Sequence, residues 1–245
     1  MANAWPAVEV THSGDWWFRW SEGVTRRANS VLARGDQGGV EALVGAAQRF
    51  YAERNAPALF LLSTASAPSS LASLLIDRGY GAEARTLMVR ATTGDVIART
   101  VRGDWSVTVA ERVSDAWFAA YWSVEAARGR TERHAEICRT SLLAPRSPSR
   151  FVAVHERGEV IACGEVVVDG SWAGVQCMAT RPSARRRGAA VAVLHRLADE
   201  AHELGARSLY LAVMADNAPA LALYGRAGFR PTHEYCYYVR SSAGR

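Results

Sequence analysis

Lysine is absent from this sequence of 245 residues: all 29 basic side chains are arginine. That absence removes the P-loop, whose lysine reaches the phosphates, and neither GxGxxG nor GxSxG occurs, which removes a dinucleotide fingerprint and a nucleophile elbow. Cysteine is scarce. Cys138, Cys163, Cys177 and Cys236 show no CxxC spacing and are expected as reduced, buried thiols of a cytoplasmic protein, with no metal site. Long hydrophobic runs are missing too, so none approaches the roughly 18 residues of a membrane helix. The start, MANAWPAVEVTHSGDWW, has neither a basic leader nor an apolar core of signal-peptide length, so no membrane partner is expected.

What is present is ordinary globular composition, 49% apolar and 22% charged. The net charge of +5 is modest and the acidic residues are spread throughout. Local anion sites are favoured over a wholesale polyanion-binding surface.

In the first half, DWWFRWSEGVTRRANSVLA reads as two extended segments joined at Glu22-Gly23. VEALVGAAQRFYAERN is helical by its apolar spacing, PALFLLS a buried strand, SSLASLLIDRGY a helix ending at Gly79, and EARTLMVRA a strand. The polar segment TTGDVIARTVRGD, Thr92 to Asp104, lacks a clear period and is expected to separate two domains. Beyond it come strand WSVTVAERV and helices DAWFAAYWSVEAARG and TERHAEICRTSLLA. Three strands follow, with turns at Arg157-Gly158 and Asp169-Gly170. An amphipathic helix from Ala190 to Gly205 precedes strand RSLYLAVM. Helix APALALYGRAG comes next, capped at Asp216-Asn217 with Pro219 in its first turn, and the strand YCYYVR is last.

The halves resemble each other. A shift of about 150 residues aligns AERNAPALFLLS with HELGARSLYLAV, and a shift of 149 aligns LASLLIDRGY with ALALYGRAGF. Both copies run helix, strand, helix, Gly-aromatic, strand, which predicts a duplicated α/β unit.

Between the hairpin strands and the amphipathic helix lies PSARRRGAA, Pro182 to Ala190. A helix start offers unpaired N–H groups and the positive end of its dipole. Gly188 and two alanines let an anion approach the backbone, so the segment reads as a phosphate cradle. Nucleic acid also uses arginines at a helix start, but no reading helix or aromatic platform accompanies them, and no nucleic-acid partner is expected.

Arg185-Arg186-Arg187-Gly188-Ala189-Ala190 resembles the Arg/Gln-x-x-Gly-x-Gly/Ala loop of the GNAT N-acetyltransferase superfamily. Asn217, Ala220, Tyr224 and Gly228-Phe229 match its later Asn…Ala-x-x-x-Tyr…Gly-Phe element. The resemblance covers Trp105 to Arg240 and implies an α/β fold with a mixed sheet. Two GNAT-like domains are expected, each a mostly antiparallel twisted sheet flanked by helices: a degenerate, partial copy over 1–92, a linker over 93–104, and a catalytic domain over 105–245.

The resemblance also implies transfer of an acetyl group from acetyl-CoA to a primary amine of a small molecule or peptide by direct attack, without a metal. The backbone of Arg185 to Ala190 would hold the diphosphate, with charge-assisted contacts from Arg185 and Arg187 beside Arg186. Met178, Ala179 and Thr180 would pair with the pantetheine arm, and Asn217 would contact it. A backbone N–H there would polarise the thioester carbonyl, and Tyr224 would protonate the departing thiolate. Many family members carry an acidic residue near Gln176, which this chain lacks; Glu165 is the first candidate base and Glu125 the second. His195 and His202 lie outside any metal-ligand spacing and are expected at the surface.

In the first half Asp36 and Gln37 stand where the arginines would be, and Leu75 replaces Tyr224, so a single cofactor site is expected. Trp16, Trp17 and Trp20 are either core or wall of an acceptor cleft. The other reading, from a different class, is a catalytically silent acyl-CoA-binding module.

Overall fold

The computed structural model describes residues 5–35, 39–66, 68–127, 129–144 and 147–240, so Asp36 and Gln37 lie outside the described residues. In chain order it begins with strands β1 (Glu9–Ser13), β2 (Trp16–Trp20) and β3 (Val31–Leu32). Helix α1 (Val40–Ala52), strand β4 (Leu59–Ser63), helix α2 (Leu71–Asp77) and strand β5 (Tyr80–Thr92) follow. Then come α3 (Thr93–Arg99), β6 (Ser106–Ala110), α4 (Asp115–Ala126), α5 (Glu132–Leu143), β7 (Ser149–Glu156), β8 (Glu159–Asp169) and β9 (Trp172–Thr180). The last elements are α6 (Ala189–Glu203), β10 (Ser208–Met214), α7 (Ala218–Arg226) and β11 (Arg230–Arg240). The architecture is mixed α/β.

Two compact units result, one of Met88–Thr232 and the other of residues 5–87 with 233–240. In the N-terminal unit β1, β2 and β3 pair antiparallel in sequence, and β3 runs parallel to β4. The other neighbour of β4 is the end of the chain: β11 runs antiparallel to it, Tyr235 opposite Ser63 and Val239 opposite Leu59. Trp16 is 1% exposed in a core with Phe18, Phe50, Tyr51, Phe60 and Leu75, so Trp16 is core and not cleft wall. Trp20 packs against that core, and Trp17 lies half-buried beneath the Arg34 guanidinium.

In the other unit β6, β7, β8 and β9 form an antiparallel meander, and β10 joins β9 in parallel. Strand β8 is buried over nine consecutive residues because α4 and α6 both pack on it. Burial on both faces is what a near-continuous apolar run signifies. Glu165 is the one charged residue in that run.

The division differs from the expected one in two places. Residues 93–104, expected as a linker, contain α3, whose N-cap Thr92 accepts a hydrogen bond from Asp95 N. This helix docks on α6 through two histidines: His195 Nδ1 lies 3.0 Å from Thr100 Oγ1, and His202 Nδ1 lies 3.2 Å from Thr93 Oγ1. Its buried face is Thr93 and Val96, too little apolar surface to set a visible period. Second, residues 105–245 do not close on themselves, since β11 from His233 onward belongs with β4.

Two pairs of glycine turns share a backbone conformation. Gly39 caps α1 with φ 91° and Gly188 caps α6 with φ 88°, neither with a side-chain hydrogen bond. Gly79 after α2 and Gly228 after α7 are left-handed at 80° and 97°. Both pairs are separated by 149 residues (188 − 39 and 228 − 79).

Strand β9 carries a bulge. Cys163 pairs with Ala179 and Glu165 with Gln176, so Gly164 faces two residues, Cys177 and Met178. Cys177 takes φ 54°, a left-handed value rare outside glycine. The missing side chain of Gly164 makes room: a Cβ there would sit 2.6 Å from Met178 Sδ, 2.8 Å from Val193 Cγ1 and 2.9 Å from Leu197 Cδ1. Gly164→Ala is expected to lose about 1–3 kcal/mol of stability in denaturant unfolding, the usual range for overpacking. An unchanged midpoint would show that the bulge does not need this gap.

Candidate functional site

Strands β9 and β10 are paired only over Trp172, Ala173 and Gly174 with Ser208, Leu209 and Tyr210. Beyond Gly174 they separate, and the bulge at Cys177 lies in the separated stretch. Met178, Ala179 and Thr180 therefore keep an edge without a strand partner on the β10 side, among the described residues. A free edge presents backbone donors and acceptors to an extended ligand. Because β9 and β10 are parallel, their C-terminal ends open on one side, where α6 and α7 begin.

After Thr180 a 3₁₀ turn, Pro182–Ala184, leads into the arginines. Helix α6 starts at Ala189 behind Gly188, and with no side-chain cap its first N–H groups face outward unpaired. Arg186 is left-handed at φ 63°, exposed, and without a hydrogen bond or ion pair among the described residues. Arg185 folds back, its Nε donating to Thr180 O at 3.4 Å. Arg187 is occupied: Nη1 donates to Glu156 Oε2 at 3.1 Å and Nη2 to Glu156 Oε1, which holds the Glu156 carboxyl below its usual range. The three arginines are thus not equivalent, and Glu156 is a member of the loop that sequence reasoning missed. It lies 31 positions away, with no local signal.

On α7, Asn217 is the N-cap, its Oδ1 accepting from Ala220 N at 3.3 Å, beside Pro219 in the first turn. Tyr224 is 8% exposed and meets Phe229 edge to face. Its hydroxyl makes no hydrogen bond among the described residues, and it is not sealed from solvent as a buried orphan would be. Burial pushes its pKa up to about 12. The loop residues, the β9 edge and Asn217 thus gather at the opened end of the β9–β10 pair.

The candidate bases sit on different elements. Glu165 is 0% exposed on β8, directly across from Gln176, whose Nε2 donates to Glu165 Oε2 at 2.8 Å. Where family members carry a carboxylate near Gln176, this chain has one on the adjacent strand. Glu125 on α4 accepts from Arg130 Nε at 3.0 Å. Both act on Cys138, a thiol pushed up to about 12 mainly by burial, and burial also raises Tyr121. Cys138 and Cys163 are buried, whereas Cys177 and Cys236 are only partly so. Among the described residues no three His, Cys, Asp or Glu side chains gather as metal ligands, and no helix is long and apolar enough to cross a membrane. Gly164, not singled out earlier, carries a legible signal: a lone glycine inside a strand pattern marks a bulge.

A protein family described as "Probable histone acetyltransferase Rv0428c C-terminal" matches residues 1–238. "Uncharacterized N-acetyltransferase YobR" of Bacillus subtilis (strain 168) is 28% identical over 240 residues, covering 98% of this chain and 95% of its own length. Among solved structures, a GCN5-related N-acetyltransferase from Kribbella flavida superposes with a TM-score of 0.68 at 17% identity, over 97% of this chain and 91% of its own. A tandem GNAT protein from the clavulanic acid biosynthesis pathway gives 0.62 at 14% identity, over 81% and 68%.

The raised Tyr224 phenol has a spectroscopic signature. The phenolate absorbance difference between the wild type and Tyr224→Phe is expected to stay flat through the ordinary tyrosine range near 10 and rise only as the pH approaches 12. A rise near 10 would show that the phenol is not buried.

Proposed function

The chain belongs to the Rv0428c C-terminal family of GNAT-type acetyltransferases, and from that premise we propose that it moves an acetyl group from acetyl-CoA to a primary amine of a small molecule or peptide. One observation carries the reading: the β9–β10 ladder ends at Gly174, and the bulged strand beyond it leads into an uncapped, glycine-started helix. An extended arm ending in a diphosphate fits that arrangement, the arm along Met178, Ala179 and Thr180 and the diphosphate on the amides around Gly188, Ala189 and Ala190. Arg185 and Arg186 flank it, Arg187 borders it, and Asn217 adds a contact from α7.

Bound acetyl-CoA supplies a thioester that a neutral amine attacks directly. Backbone N–H groups at the β9 bulge orient the acyl carbonyl. Tyr224 holds a proton on its hydroxyl for the departing sulfur. Its raised pKa supports this role, since the neutral phenol persists below about 12 and is lost only as pH rises through that value. Glu165 takes the amine proton through water. It is preferred to Glu125 because it lies beside the bulge, whereas the Glu125 carboxylate is engaged by Arg130.

The N-terminal unit is read as a degenerate copy without a cofactor site. The paired left-handed glycines 149 residues apart support the duplication (188 − 39), and Leu75, 0% exposed in the core, stands where Tyr224 stands in the second copy. On this reading 1–92 and 105–245 are the duplicated sequences. The protein acts without a metal, nucleic acid or membrane, in the cytoplasm.

Tyr224→Phe is expected to lower kcat about 100-fold, the scale of a general acid, with KM for acetyl-CoA near wild type. Equal loss in KM would mean that Tyr224 binds rather than protonates. Glu165→Gln should abolish the acidic limb of the kcat/KM profile, because the base works only when deprotonated; a limb that persists puts the base elsewhere. Calorimetry with coenzyme A should return one site per chain, and none for the Arg186→Glu, Arg187→Glu double variant. Binding without turnover of any amine would instead identify a silent binding module.

A further inference from the structure

Arg187 is the residue whose surroundings fit a phosphate contact least. The two ends of its guanidinium fork pair with both oxygens of Glu156. Its Cζ lies over the Trp105 ring, 5.4 Å from the centroid. The side chain is still 45% exposed. A planar cation held at its edge by a carboxylate, set over an indole and still exposed has surface left to stack on a further ring. Glu156 also cancels its charge, so the pair has little net attraction for a diphosphate, in contrast to Arg186.

The position matters as much as the chemistry. Arg187 immediately precedes Gly188, the N-cap of α6, and a Cβ on Gly188 would lie 3.9 Å from Trp105 Nε1. A neutralised flat surface therefore adjoins the amides that receive the diphosphate. Chemistry of that kind recognises a flat aromatic base rather than an anion.

Resting on the acetyl-CoA reading above, we propose that the Glu156-clamped, Trp105-backed Arg187 guanidinium is a stacking shelf for the adenine of coenzyme A. Arg187 is then a binding residue for the base, Glu156 and Trp105 are positioning residues, and the phosphate contacts fall to Arg186 and the amides. The shelf makes the site selective for a nucleotide-bearing donor over a bare pantetheine thioester.

Calorimetric titration of coenzyme A and 3′-dephospho-coenzyme A against wild type, Arg187→Ala and Arg187→Lys tests this, with melting curves to confirm that each variant is folded. Both variants are expected to weaken both ligands about tenfold, the scale of a stacked cation or base, and lysine should not rescue because it keeps the charge without the plane. Emission attributable to Trp105, taken as wild type minus Trp105→Phe, should change when coenzyme A is added. Wild-type affinity in Arg187→Lys would assign a phosphate contact and overturn the shelf, as would no loss in Arg187→Ala or a silent Trp105. Those outcomes leave the acetyl-CoA reading standing, whereas failure of the wild type to bind either ligand removes both.

Discussion

Gly164 lets β9 carry one residue more than the strand beside it, and much of the site follows from that gap. Any side chain at this position would collide with Met178 and with Val193 and Leu197 of α6, so bulge and helix packing are one constraint. The extra residue forces Cys177 into a left-handed conformation and reorients the edge of β9. Pairing with β10 has already stopped at Gly174, so the bulge falls beyond the β9–β10 ladder. Buried backbone groups rarely go unpaired, and a free edge of this kind is where a ligand can supply the missing partners.

Because every basic residue is arginine, carboxylate pairing governs where positive charge remains available. Arg187 is committed to Glu156, Arg181 to Glu159, and Arg150 and Arg196 share the buried Glu200. What looks like a block of three like charges is dispersed by the fold: one arginine turns back to its own strand, one stays open, one is neutralised. The positive potential at the loop comes from Arg186 and the uncapped amides of α6, a short-range field suited to a compact anion.

The N-terminal unit is held by aromatic packing of a different kind. Trp16, Phe18, Phe50, Tyr51, Phe60 and Tyr80 share one core, and Arg19 is buried beside it with its guanidinium on Ser30. Desolvation pulls that arginine down to about 10. Leu75 is 0% exposed in the same core. Strand β11 pairs with β4, so a segment far along the chain serves the unit that begins it.

Local chemistry made much of the chain legible. The Asn217 cap, the Gly158 and Gly170 turns, and the apolar spacing of α6 each act within a few residues, and these elements lie where the sequence predicts them. Helix α3 was hidden because its main local signals are the Thr92 cap and one buried valine, while its hydrogen bonds to His195 and His202 reach a distant helix. The segment Arg185 to Ala190 could be read as an anion cradle and Tyr224 named from the family resemblance, but not that Arg187 is neutralised by Glu156, nor that Tyr224 is buried enough to stay protonated to about 12. Tertiary structure alone decided that β11 pairs with β4, that Glu165 faces Gln176, and that β9 leaves β10 after Gly174. Strand pairing and ion pairing depend on which edges and charges meet once distant segments have packed, whereas caps, turns and helical period are settled by neighbours along the chain.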